Sequence, residues 1–111
     1  MKNIFLIIAT LFLTTTLFAQ NAEVKIKTSA VCGRCKETIE HDLLFEKGVK
    51  KVTLDLDSNV VTVIYNPKKT DEEKIRVALT KIGYDADSMP ADSISYSKLP
   101  ECCKKDVPKH D

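Results

Sequence analysis

The chain has 111 residues, 43% of them apolar and 30% charged, with 17 Lys and Arg against 16 Asp and Glu. That length holds one small domain and is too short for most two-domain enzymes. The balanced charge offers no basic surface for nucleic acid and no acidic solvating tail, and 6% aromatics with no Trp speak against a stacking platform for single strands.

In chain order, Met1-Lys2-Asn3 opens with one positive charge. Ile4–Ala9 is solidly apolar, and Leu11, Phe12, Leu13, Leu17 and Phe18 extend the run to the small residue Ala19. Charged start, short apolar stretch and small exit residue are the pattern of a cleaved secretory signal, here residues 1–19. The alternative is a membrane anchor. The run is interrupted by Thr10 and Thr14–Thr16, whereas a span needs about 20 mostly apolar residues. Loss of Lys2 with the signal leaves a formally neutral chain that keeps Cys32, Cys35, Cys102 and Cys103. An exported chain, with a periplasmic destination as the expectation, meets conditions in which disulfides form. Four cysteines allow three pairings.

Val24-Lys25-Ile26-Lys27-Thr28 alternates with the period of a half-buried strand. The loop Ser29–Cys35 follows. Cys35, Ile39 and Leu43, with Leu44 beside them, then make one apolar face of a helix, for which Gly48 is a stop. Val52, Leu54 and Leu56 alternate as a second strand. Asp57-Ser58-Asn59 is turn chemistry, and Val60–Tyr65 is a β-branched third strand, so the two predict a hairpin. Thr70 with Glu73 reads as a capping box. Ile75, Ala78, Leu79 and Ile82 form the stripe of a second helix, closed by Gly83. Residues 84–89 are the candidate for a short last strand. From Ala91 the chain is polar, carries Pro100 and Pro108, and has no periodicity, which reads as a flexible or loosely docked tail over 91–111. The order β-α-β-β-α-β within a domain at 20–90 predicts an α+β, ferredoxin-like sandwich of two helices on a four-stranded antiparallel sheet.

Cys32-Gly33-Arg34-Cys35 places two thiols on the turn from the first strand into the first helix. A helix start supplies free N–H groups and the positive end of the dipole, both favouring thiolate. Two thiolates suit a soft ion such as Cu(I), and leave it open to attack by a partner's thiolates. The spacing alone is also compatible with a disulfide, half a zinc site or a redox dithiol.

In this setting the chain resembles the heavy-metal-associated domain family, which includes copper chaperones, metal-binding modules of copper-transporting ATPases and secreted bacterial mercury-binding proteins. The resemblance covers about residues 23–89. It rests on Ser29–Cys35 against the family's Gly-Met-X-Cys-X-X-Cys loop, on Gly48-Val49, Val52, Leu54, Asp55 and Val61-Thr62-Val63, and on Gly83-Tyr84-Asp85. It implies that Cys32 and Cys35 are metal ligands and that Tyr84 stands beside the metal without ligating it. Without the resemblance, Tyr84 reads as a packed aromatic. Ser29 and Ala30 stand where the family commonly has Gly and Met, and the smaller Ala30 implies a looser loop.

Adjacent cysteines bond poorly to each other, so Cys102 and Cys103 are candidate additional ligands. Eleven residue steps from Ala91 to Cys102 reach at most about 36 Å, more than the length of a six-residue strand, about 20 Å. Two added thiolates would give a three- or four-coordinate site, and four suit zinc. A free tail with surface thiols is the competing reading. His41 falls opposite Ile39 and Leu43 and reads as solvated, and His110 lies near the terminus. Lys50-Lys51 and Lys68-Lys69 read as solvated faces that can also steer an acidic partner.

The leading functional expectation is an exported, non-enzymatic carrier of a soft ion, Cu(I) first, then Hg(II), then Zn(II). Its partner would be a metal-transporting ATPase or other thiol-bearing carrier, met transiently through an exposed cysteine loop. Expected with it are no nucleic acid, no stable membrane insertion after signal cleavage, and a monomer or metal-bridged dimer. A thiol–disulfide oxidoreductase on the same pair is the alternative. Against it stand Val31 where an aromatic is expected and the wrong order of elements. A domain with purely structural disulfides is a third reading. No constellation for a hydrolase is visible.

Overall fold

Side chains two apart in a strand share a face, and here that periodicity builds the core in two cross-strand rows. The computed structural model describes residues 20–104. Strands β1 (Ala22–Lys27), β2 (Val49–Asp55) and β3 (Val60–Tyr65) form one antiparallel sheet in the order β1-β3-β2. Val24, Val63 and Val52 line up as one row and Ile26, Val61 and Leu54 as the next. All six are buried. The helices α1 (Gly33–Leu43) and α2 (Glu72–Ile82) add Cys35, Ile39 and Leu43, and Ile75 and Leu79, to the same core. Each fully buried Leu or Ile contributes about 2 kcal/mol, so these rows carry the fold. At the β2 edge the Leu54 N–H donates to Glu40 Oε2 of α1 at 2.8 Å, closing a strand group that would otherwise face water.

The expected fourth strand is not formed among the described residues, and the sheet has three strands rather than four. Ala86 makes single bridges to Thr28 and to Met89, after which the chain turns back on itself. The Ala86 and Met89 N–H groups each donate to the other's carbonyl at 2.9 Å, and Asp87 between them has a φ of 53°. Asp is one of the few residues that tolerates this left-handed region. The edge of β1 is completed by Asp87 instead: its N–H donates to the Lys27 carbonyl at 2.8 Å, and its Oδ1 accepts the Lys27 N–H at 2.9 Å. Its other oxygen accepts from Arg76 Nε at 2.9 Å.

Smaller expectations also shift. The N-cap of α2 is Asp71, which accepts the Lys74 N–H at 2.8 Å, not Thr70. Thr70 is buried, and its hydroxyl has no partner among the described residues. Leu44 is half exposed rather than part of the α1 core face. Helix α1 ends before Gly48, whose φ of 85° leads the chain into β2. A Cβ at Gly48 would sit 2.9 Å from Lys69 Cβ, so the position requires glycine on two counts.

Residues 91–104, loose by composition, carry short helical elements, and of them only Cys103 is buried. Asp92 caps a short helix α3 (Ser93–Ser97) by accepting the Ser95 N–H at 3.0 Å, and a 3-10 turn spans Glu101–Cys103. Among the described residues no helix is long and apolar enough to cross a membrane. The apolar run at 1–19 and His110 lie outside the described residues.

Arg76, burial and the Lys27 N–H act on Asp87, and the net result holds its carboxyl below the ordinary range. A depressed folded-state pKa adds stability above the unfolded value and loses it as pH falls. Asp87→Asn keeps the backbone geometry and removes the charge, so it should cost about 0.5–1 kcal/mol at pH 7. In urea unfolding, that difference should shrink as pH drops below about 4.

Candidate metal centre

A helix leaves its first N–H groups without intrahelical partners, and α1 begins on the cysteine motif. Cys32 is the N-cap, with extended backbone (φ −154°, ψ 173°), and Cys35 stands in the first turn. Their sulfurs are 3.5 Å apart. Burial works against a charge on Cys32. The N–H of Cys35, the Cys35 thiol, the N–H of Arg34 and Cys102 outweigh it, and the net effect lowers the Cys32 pKa. The Cys32 side chain makes no helix-cap hydrogen bond of regular geometry.

The loop before the helix is tied from below. Ala30 is fully buried in the core, and its N–H donates to Thr28 Oγ1 at 3.2 Å. The Thr28 N–H and hydroxyl both donate to the Asn59 carbonyl, at 2.8 and 3.0 Å. Ser29 Oγ accepts the Asp85 N–H at 2.9 Å, which joins the cysteine loop to the exit of α2. Ser29 and Asp85 are 56 residues apart in sequence, and no spacing rule points to their pairing.

The loop expected to be exposed shows Arg34 to solvent but not its thiols. Cys32 and Cys35 are buried, and so is Cys103, whereas Cys102 is half-buried. Cys103 Sγ lies 4.0 Å from Cys32 Sγ and 3.9 Å from Cys102 Sγ, and the Cys102 carbonyl lies 3.3 Å from the Cys32 sulfur. Cys32, Cys102 and Cys103 thus offer three sulfurs within 4.8 Å of one another, a group able to hold a metal ion. Burial and the neighbouring Cys35 push the Cys103 thiol above its ordinary pKa, opposite to Cys32. Tyr84 is fully buried beside Cys35 and Cys103. Its hydroxyl makes no hydrogen bond of regular geometry among the described residues, and burial first, then those two thiols, raise its pKa.

His41 stands apart as a side chain 71% exposed, paired with Asp42 at 2.9 Å and packed on Phe45. Lys50, Lys51, Lys68 and Lys69 are all exposed.

The sequence profile of the heavy-metal-associated domain matches residues 21–85, cysteine loop included. The chain belongs to this family. As a heavy-metal-associated domain it is 36% identical over 59 residues to the copper-exporting P-type ATPase of Staphylococcus aureus (strain JH9). That match takes in 53% of this chain but only 7% of the ATPase, so it reaches a small part of that protein. Among solved structures, the CopZ metallochaperone is similar with a TM-score of 0.56 and 26% identity, covering 59% of this chain and 98% of that one. Oxidized MerP from Ralstonia metallidurans CH34 has a TM-score of 0.57 at 22% identity, covering 60% and 94%, and shows a shared fold. The segment matched to the family ends before Cys102 and Cys103.

Ser29→Ala removes the acceptor for the Asp85 N–H in a half-buried setting. It should lower the stability of the reduced chain by about 1 kcal/mol in chemical denaturation.

Proposed function

We propose that this heavy-metal-associated domain binds one soft metal ion, Cu(I) ahead of Hg(II) and Zn(II), through Cys32 and Cys35. It then passes the ion on by ligand exchange. The observation that carries the reading is the pair of sulfurs 3.5 Å apart on the first turn of α1, with the Cys32 pKa lowered by that turn. A thiolate is the form that ligates, and thiolates favour soft ions. The copper-named relatives support Cu(I) as first choice.

The ion is cargo and leaves unchanged, so the protein acts as a carrier and not as an enzyme. Its acceptor is a metal-transporting ATPase or another thiol-bearing carrier, met transiently. The charged, apolar and small-residue pattern of residues 1–19 supports action after export, in a periplasm-like compartment.

The test is anaerobic titration of the reduced chain with Cu(I) against a chelator of known affinity. One equivalent should bind, and Cys32→Ser with Cys35→Ser should weaken it by about 100-fold or more, since even residues behind a ligand cost 10–100-fold. A reduced wild type that cannot compete with the chelator would overturn the copper reading.

A further inference from the structure

The family's two-cysteine motif does not account for the sulfurs delivered from the other end of the domain. We infer that Cys102 and Cys103 complete the metal site, so that a bound ion is held by three or four sulfurs from both ends of the chain and leaves only when residues 91–103 lift away. This inference rests on the proposed role of Cys32 and Cys35 and names how that site is closed.

The sulfur spacings carry the argument. With metal–sulfur bonds of about 2.3 Å, two opposed sulfurs stand about 4.6 Å apart, three in a plane about 4.0 Å, and four on a tetrahedron about 3.8 Å. The observed separations are 3.5 Å for Cys32–Cys35, 4.0 Å for Cys32–Cys103 and 3.9 Å for Cys102–Cys103. All three fall short of the linear value and near the trigonal or tetrahedral ones.

Burial of a thiol by itself reflects ordinary packing, because free cysteine behaves as a small apolar residue. Here three thiols converge within 4.8 Å of one another, and a fourth, Cys35, lies 3.5 Å from one of them. The buried Tyr84 hydroxyl beside Cys35 and Cys103 lacks a regular partner among the described residues. That marks the spot as polar rather than as plain core.

The segment is seated by contacts independent of any ion. The Ala91 N–H donates to Asp85 Oδ1 at 2.8 Å, and the Asp92 N–H to the Thr80 carbonyl at 3.0 Å. Gly83, with a φ of 120°, lets the Leu99 side chain lie where a Cβ would be only 3.0 Å from it. Residues 91–103 therefore form a strap whose end places Cys103, 1% exposed, against Cys32. Each thiol that ligates gives its proton to solvent and takes one back on release. An acceptor must displace Cys102 and Cys103 before it reaches the ion, so the strap sets the rate of transfer.

The experiment is X-ray absorption at the copper edge on the reduced, Cu(I)-loaded chain, paired with the rate of Cu(I) transfer to a chelator. Three or four sulfurs around copper are expected in the wild type. In Cys102→Ser/Cys103→Ser the number should fall to two and transfer should speed up by about tenfold or more. Two sulfurs in the wild type, or an unchanged number and rate in the double variant, overturn the inference while leaving Cys32 and Cys35 as ligands. A wild type that takes up no Cu(I) overturns the reading beneath it as well. The wild-type coordination number decides the matter even if the double variant does not fold.

Discussion

The start of α1 is the constraint on which the site depends. A helix must begin somewhere with unpaired N–H groups, and here it begins at the end of β1, with Cys32 as N-cap and Cys35 in the first turn. The sheet anchors the near side: Thr28 is held to Asn59, and Ala30 is sunk in the core. Cys35 is at once a core residue under the sheet and one of the sulfurs at the site. Packing and chemistry therefore share a side chain.

Burial and charge pull against each other at this place. An apolar surrounding disfavours a thiolate, and the local pKa values split accordingly, with Cys32 lowered by the helix start and Cys103 raised by burial. Several buried thiolates without a cation would be costly. A soft cation removes that cost by neutralising the sulfurs it gathers.

Much of this was legible in the sequence because it is periodic. The alternation in 24–28 and 60–65 and the stripe Ile75-Ala78-Leu79-Ile82 each report which face is buried, and the cysteine spacing marks the helix start. The misses have physical causes. Residues 84–89 follow Gly83 with Tyr84 and Ala86, which suit a strand, yet Asp87 takes a left-handed conformation and caps the β1 edge with its own side chain. Thr70 and Asp71 are both good helix caps, and the tertiary burial of Thr70 decides between them. The strap has no period at all. Its docking depends on individual contacts, such as Leu99 on Gly83 and the Ala91 N–H on Asp85, which composition does not reveal.

The central claim is that the sulfurs are gathered and covered in the folded chain before any ion arrives. The most direct measurement is timed alkylation of the reduced, metal-free protein, with each cysteine followed by mass spectrometry. The account predicts that half-buried Cys102 is modified first and that Cys32, Cys35 and Cys103 lag far behind it. Modification of Cys32 and Cys35 as fast as in the denatured chain would contradict it, because the first turn of α1 would then lie open to solvent.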